Sequence, residues 1–149
     1  MADVDWTLHI EAEPNAEVLN RILEPLSAYN KMSVGPGNWE KWAVTVRDRE
    51  NAIVGGSWGE IGYDFLKVEL LALGRARNRS LGRRLMTLAE EAAVERGLRG
   101  IWLDTWTFQA PNFYRKLGFE ECGRISDYPP GHDRIFFVKY LRAADRDRE

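Results

Sequence analysis

Cysteine is almost missing from this chain: Cys122 is the only one. A single thiol cannot close an intramolecular disulfide, and a cysteine-based zinc cluster is excluded. Long apolar runs are missing too, since nothing approaches the roughly twenty residues needed to span a bilayer. Met1 is followed by Ala-Asp-Val-Asp, not by the basic start and apolar core of a signal peptide. These features predict a cytoplasmic protein with no membrane partner. An excess of positive charge is also lacking. The net charge is −2 over 149 residues, which argues against general nucleic-acid binding. No Gly-Lys-Ser/Thr follows the arginine-rich loop described below, and no carboxylate pair stands ready for magnesium, which disfavours a nucleotide switch. No metal site is expected. Repeats and linker composition are absent, so the reading is one domain over residues 1–142 with a charged tail at 143–149.

What the chain does have is concentrated between Val68 and Gly97. That stretch reads as an apolar strand, a short arginine-rich turn and a helix. Leu81, Leu85, Leu88 and Ala92 recur at the spacing of one buried stripe. Ser80 occupies the expected N-cap and Gly97 the expected stop. The charges run against helix stability. Arg75, Arg77, Arg79, Arg83 and Arg84 crowd the start, while Glu90, Glu91 and Glu95 lie in the later half. A helix start is the positive end of the dipole, and each like charge there costs roughly 0.3–1 kcal/mol. A bound polyanion would resolve the conflict, because unpaired N–H groups, the dipole and guanidinium groups all favour phosphate. The alternative is a solvated basic turn on a core helix.

The remaining segments build a sheet around that stretch. Trp6, Leu8, Ile10 and Ala12 alternate with Thr7, His9 and Glu11, predicting a half-buried strand with His9 solvated. Residues Ala16–Tyr29 have helical spacing, with Pro25 expected to kink or end the helix. The run SVGPGN is loop chemistry. Trp42, Val44 and Val46 mark a second strand, and a turn at RDREN leads to a third over Ala52–Ile61. After Gly62-Tyr63-Asp64 comes the strand Phe65–Leu73, where Glu69 shares its parity with Leu71 and Leu73. That placement sets a carboxylate in a core-like row, or else at an edge facing water. Then follow a strand at Ile101–Trp106, a short helix at Gln109–Leu117, a strand at Phe119–Arg124, the loop SDYPPGHD and a last strand at Ile135–Leu141. Tight turns make the three middle strands antiparallel, and the strand–helix–strand passage through Gly82 is a parallel crossover. The fold class is therefore α+β with a mixed, mostly antiparallel sheet.

Two segments resemble a known family. Arg77-Asn78-Arg79-Ser80-Leu81-Gly82 is similar to the acyl-CoA pyrophosphate loop [Q/R]-x-x-G-x-[G/A] of the GCN5-related N-acetyltransferase (GNAT) superfamily. Phe113-Tyr114-Arg115-Lys116-Leu117-Gly118-Phe119 resembles its (l/f)Y-x-K-l-G-F segment. Both stand in the family's order and at about its distance, and the strand order is similar over essentially the whole chain. The run TFQAPNFYRKLGFE with DYPPGHDRIFFVKYL looks like a bacterial subgroup. There are departures: Ser80 replaces the first loop glycine, and Thr107 stands where an asparagine is common.

The resemblance implies transfer of an acetyl group from acetyl-CoA to a primary amine, with CoA as product. An amine attacks a thioester only as the free base, and Glu69, directly or through a water, is the candidate acceptor of its proton. His132 is a second candidate at the pocket rim. The oxyanion needs a preorganised donor, which the resemblance maps to backbone N–H groups at Leu71, Ala72 and Leu73. Tyr114 falls at the family's usual acid position. Arg77, Arg79, Ser80, Leu81, Gly82, Arg83 and Arg84 would surround the pyrophosphate, with Thr107 and Lys116 as further cofactor contacts. Trp39, Trp42, Trp58, Trp106, Tyr63 and Tyr128 lie in segments that could line an amine pocket, and Glu60 and Asp64 add negative charge there. The leading expectation is a small-molecule amine. Alternatives are a protein or peptide amine acetyltransferase and a non-catalytic acyl-CoA sensor; paired edge strands would make a homodimer.

Overall fold

The computed structural model describes residues 5–76 and 79–142, with the side chain of Arg79 left out. The chain divides after Pro36 into two compact units. In the first, Asn15 caps the helix α1 (Ala16–Val34) by accepting the N–H of Val18 at 3.1 Å. Pro25 lies inside this helix. It removes one bond to the carbonyl of Arg21 without ending the helix, so the expected break is absent. No strand forms over residues 6–12, and Trp6, Leu8 and Ile10 are fully exposed or nearly so. Alternation specifies a strand only where an edge pairs with it, and none of the described ladders includes that segment.

The second unit holds β1 (Glu40–Arg47), β2 (Ile53–Gly62), β3 (Phe65–Ala72), a 3-10 turn (Gly74–Ala76), α2 (Arg79–Glu95), β4 (Gly100–Trp106), α3 (Pro111–Lys116), β5 (Glu120–Ile125) and β6 (Arg134–Tyr140). The six strands form one sheet in the order β1-β2-β3-β4-β6-β5. Only β3 and β4 pair in parallel, so this is the mixed, mostly antiparallel α+β architecture expected. Tyr63 and Asp64, both at positive φ, make the two-residue turn that joins β2 to β3.

One sheet face packs on α2 and α3. Leu66, Ile101, Leu103, Ile135 and Phe137 are fully buried there, each contributing about 1.5–3 kcal/mol. The buried stripe of α2 is Gly82, Leu85, Met86, Ala89 and Ala93, whereas Leu88 is 43% exposed. The expected stripe is thus rotated, because small residues let the helix sit close to the sheet. At the end of α2, Gly97 takes φ +66°. Its N–H donates to Val94 and that of Leu98 to Ala93, which closes the helix with a buried Leu98.

Candidate active site

The parallel ladder between β3 and β4 runs only from Phe65–Gly100 to Val68–Leu103. Beyond it β3 continues to Ala72 along β2, and β4 continues to Trp106 along β6. The two central strands therefore part, and the facing edge of Leu71 and Ala72 has no partner in β4. The ladder of β2 and β3 also shifts here: Trp58 pairs with Leu70 and Gly59 with Val68, so Glu69 is the extra residue of a β-bulge. The bulge breaks the parity that sequence alternation gave Glu69. Leu71 packs on the core while Glu69 is exposed, and its carboxylate acts on Lys41.

The start of α2, the helix α3 and the end of β3 meet at Gly82. A Cβ there would lie 3.3 Å from the Phe113 ring and 3.8 Å from Leu73 Cδ1. No acidic residue occupies the first turn of α2 and no basic residue its last turn, so the charge inversion holds in the folded protein. Ser80 lies inside the first turn, not before it as an N-cap, because the helix begins one residue earlier. Leu81 is half-buried, while Ser80, Arg83 and Arg84 are exposed. The structure of Arg77 and the side chain of Arg79 lie outside the described residues.

Tyr114 sits in α3 with its ring against Phe113, Phe119 and Phe137 at centroid distances of 5.1, 6.0 and 6.2 Å. Burial, then the nearby charge of Asp104, push its phenol up to about 12. Lys116 is exposed at the end of α3. Thr107 follows β4, and its hydroxyl accepts the N–H of Asp133 at 3.0 Å and lies 3.3 Å from His132 Nδ1. Its own N–H donates to the carbonyl of Asp133. Thr107 thereby holds the loop before β6 against the end of β4.

Asp104 and Arg134 went unrecognised in the sequence. Arg134 donates to Asp104 Oδ1 from Nε at 2.8 Å and from Nη2 at 2.7 Å. Its guanidinium also lies over Trp106 (4.8 Å), Phe136 (5.6 Å) and Tyr128 (6.0 Å). A charged residue inside the otherwise apolar run Ile101–Trp106 was the available signal. The aromatic candidates do not form one pocket. Trp42 is core. Trp39 and Tyr63 meet edge to face beside the β2–β3 turn, whereas Trp106, Phe108 and Tyr128 cluster at the opposite, C-terminal end of β4. Glu60 is paired with Lys41, so it adds little free negative charge.

The family profile described as "Acetyltransferase (GNAT) family" matches residues 16–119. The chain belongs to the GNAT family of acetyltransferases. It is 38% identical over 104 residues to blasticidin-S acetyltransferase of Streptomyces morookaense, covering 68% of this chain and 76% of that one. It is 31% identical over 126 residues to the acetyltransferase Atu2258 of Agrobacterium fabrum, covering 84% and 92%. A 1.9 Å crystal structure of an acetyltransferase from Bacillus cereus matches with a TM-score of 0.79 at 32% identity, over 90% of this chain and 98% of that one. This GNAT protein is an acetyl-CoA-dependent N-acetyltransferase, and its parted strands, inverted helix and α3 tyrosine lie within or beside the matched residues. No described helix is long and apolar enough to cross a membrane.

Proposed function

We propose that this N-acetyltransferase moves the acetyl group of acetyl-CoA onto a primary amine of a small molecule by direct attack. The observation that carries the reading is the parting of β3 and β4 beyond Val68 and Leu103, next to the junction of Gly82, Phe113 and Leu73. That gap suits a narrow, extended arm. The first turn of α2, free of carboxylates and with Ser80 exposed, suits a diphosphate. When bound, acetyl-CoA supplies an activated acetyl thioester. Backbone N–H groups in the first turns of α2, with the exposed side chains of Arg83 and Arg84, would hold its phosphates, and Lys116, exposed at the end of α3, would add a further cation. Arg77 and the side chain of Arg79 belong to the same proposed set but lie outside the described residues. The hydroxyl of Thr107 is engaged by the loop at His132 and Asp133, so no cofactor contact is given to it.

The unpaired edge of β3 at Leu71–Leu73 supplies N–H groups for the oxygen that gains negative charge. Glu69, exposed on its bulge, takes the proton of the incoming ammonium. We assign Tyr114 to the departing sulfur. With its phenol pushed up to about 12, above the range of a thiol, full proton transfer to the thiolate is uphill. Tyr114 therefore works as a hydrogen-bond donor to the sulfur, and the proton arrives from solvent. The rings of Phe108 and Tyr128, both partly exposed at the end of β4, offer faces to a cationic acceptor. The name of the relative blasticidin-S acetyltransferase supports a small-molecule acceptor.

The test is release of free thiol from acetyl-CoA in the presence of a panel of small amines and of peptides bearing a free terminus or lysine. Turnover with small amines is expected. Turnover confined to peptides would overturn the acceptor class. Measurable acetyl-CoA binding without turnover on any amine would favour the sensor.

A further inference from the structure

One arginine of the basic stretch is already held by a carboxylate from another part of the sheet. Asp48 lies in the turn between β1 and β2, and its Oδ1 accepts the N–H groups of Glu50 at 2.9 Å and Ala52 at 3.0 Å. Backbone bonds from Asp48 to Ala52 and from Asn51 back to Asp48 close the same turn. The carboxylate is therefore fixed before any partner arrives. Its other oxygen, Oδ2, accepts from Arg75 Nη2 at 2.9 Å. Arg75 belongs to the 3-10 turn Gly74–Ala76, the first residues after β3 and the start of the connection to α2. That turn is seated twice more. Ala76 N–H donates to Leu73 at 2.8 Å, and a Cβ on Gly74 would lie 3.0 Å from the carbonyl of Val54.

We propose that Asp48 and Arg75 form a clamp that positions the 3-10 turn Gly74–Ala76, at the exit of β3, for the phosphates of acetyl-CoA. Both are positioning residues, and the inference rests on the reading of the β3–α2 connection as the acetyl-CoA site. The Arg75 side chain is 75% exposed, and a pair so exposed contributes little to global stability. Its effect falls on a different quantity. A turn held before binding loses less conformational freedom when the ligand arrives, and that difference appears in affinity. The fixed acceptor matters for the same reason, since only the arginine has to be immobilised.

The experiment is calorimetric titration of acetyl-CoA into the wild type, Asp48→Asn, Arg75→Gln and the double variant. S-acetylpantetheine, which lacks every phosphate, serves as the control ligand, and each protein is melted in parallel. Each single variant is expected to weaken acetyl-CoA by about two- to fivefold, the range of an exposed ion pair. The double variant should be no weaker than either single, because both remove the same link. S-acetylpantetheine affinity and the melting temperature should stay where they are in the wild type. Unchanged acetyl-CoA affinity in both singles would overturn the clamp. Loss in Arg75→Gln alone would do so too, since Arg75 would then act on phosphate directly. Tighter binding in Asp48→Asn would show that the carboxylate withholds Arg75 from the ligand, also against the clamp. A wild type that binds no acetyl-CoA would remove the parent reading and the clamp with it, a result distinct from these three.

Discussion

Asp104 and Arg134 join β4 to β6 one residue past the point where β4 leaves β3, with two nitrogen–oxygen contacts of 2.7 and 2.8 Å. The ring of Trp106 lies under the guanidinium. Removing the carboxylate leaves a cation that is only about a quarter exposed, at 28% of its side chain, packed on three rings. Asp104→Ala, which removes the acceptor altogether, should cost about 1–3 kcal/mol of stability, the penalty of taking away a partly buried hydrogen-bond partner. Urea unfolding of the variant against the wild type measures it. A cost below about 0.5 kcal/mol would show that the pair behaves as an ordinary surface bridge.

Tyr114 gives a prediction with a sign. Its phenol is pushed up to about 12 in the folded protein, from 10.0 as the ordinary value. A raised folded pKa means that the native state holds the proton more tightly than the unfolded chain. The stabilisation is full below pH 10 and is lost as pH rises through 12. Between pH 8 and pH 11 the wild type should lose about 1.4 kcal/mol more stability than Tyr114→Phe. In turnover, the same variant lacks that hydrogen-bond donor to the sulfur and should lose about a hundredfold in kcat while acetyl-CoA affinity stays within twofold. Equal pH dependence of the two proteins would contradict the burial of the phenol, and unchanged kcat would remove Tyr114 from the chemistry.

The sheet and its helices were legible because alternation and helical spacing survive wherever an element pairs with or packs on a neighbour. Trp42, Val44 and Val46 in β1 and the apolar run of β4 are examples. Three features escaped for identifiable reasons. The bulge at Glu69 inserts one residue, and a period-two pattern cannot register its own interruption. The stripe of α2 runs through Gly82, Ala89 and Ala93, small residues that carry little weight in any apolar count, so Leu88 was credited instead. The strand at residues 6–12 depends on an edge that alternation alone does not supply. The arginine-rich stretch proposed to hold the phosphates was visible because its charges oppose the dipole, a local signal. The Asp48–Arg75 and Asp104–Arg134 links were not, since they join residues far apart in sequence.

Gly59 stands opposite the bulge and faces Lys67 closely. A Cβ there would lie 2.3 Å from the Lys67 carbonyl oxygen, a backbone atom that cannot swing away. Gly59→Ala should therefore push β2 and β3 apart beside Glu69, costing about 1–3 kcal/mol by overpacking and lowering turnover more than acetyl-CoA affinity. Chemical denaturation and steady-state kinetics read the two effects. A variant as stable and active as the wild type would mean that the strands can separate without cost, and the bulge would lose its claim to position Glu69.

The inverted helix carries the last prediction. Arg79 lies in the first turn of α2 and Arg84 one turn further on, both on the side where a dipole favours acids. Replacing both by glutamate removes repulsion with the dipole, chiefly at Arg79, and should leave the protein as stable as before or more stable by about 0.3–1 kcal/mol. A mutation that reverses two charges without harming the fold is informative only through what it abolishes, and here acetyl-CoA binding should vanish. In the wild type the affinity should weaken several-fold as salt rises from about 0.05 to 0.5 M, because screening at the higher strength confines these charges to a few ångströms. Thermal melts and calorimetry separate the outcomes. A variant that fails to fold would make the arginines structural, and one that still binds acetyl-CoA would place the phosphates elsewhere on the protein.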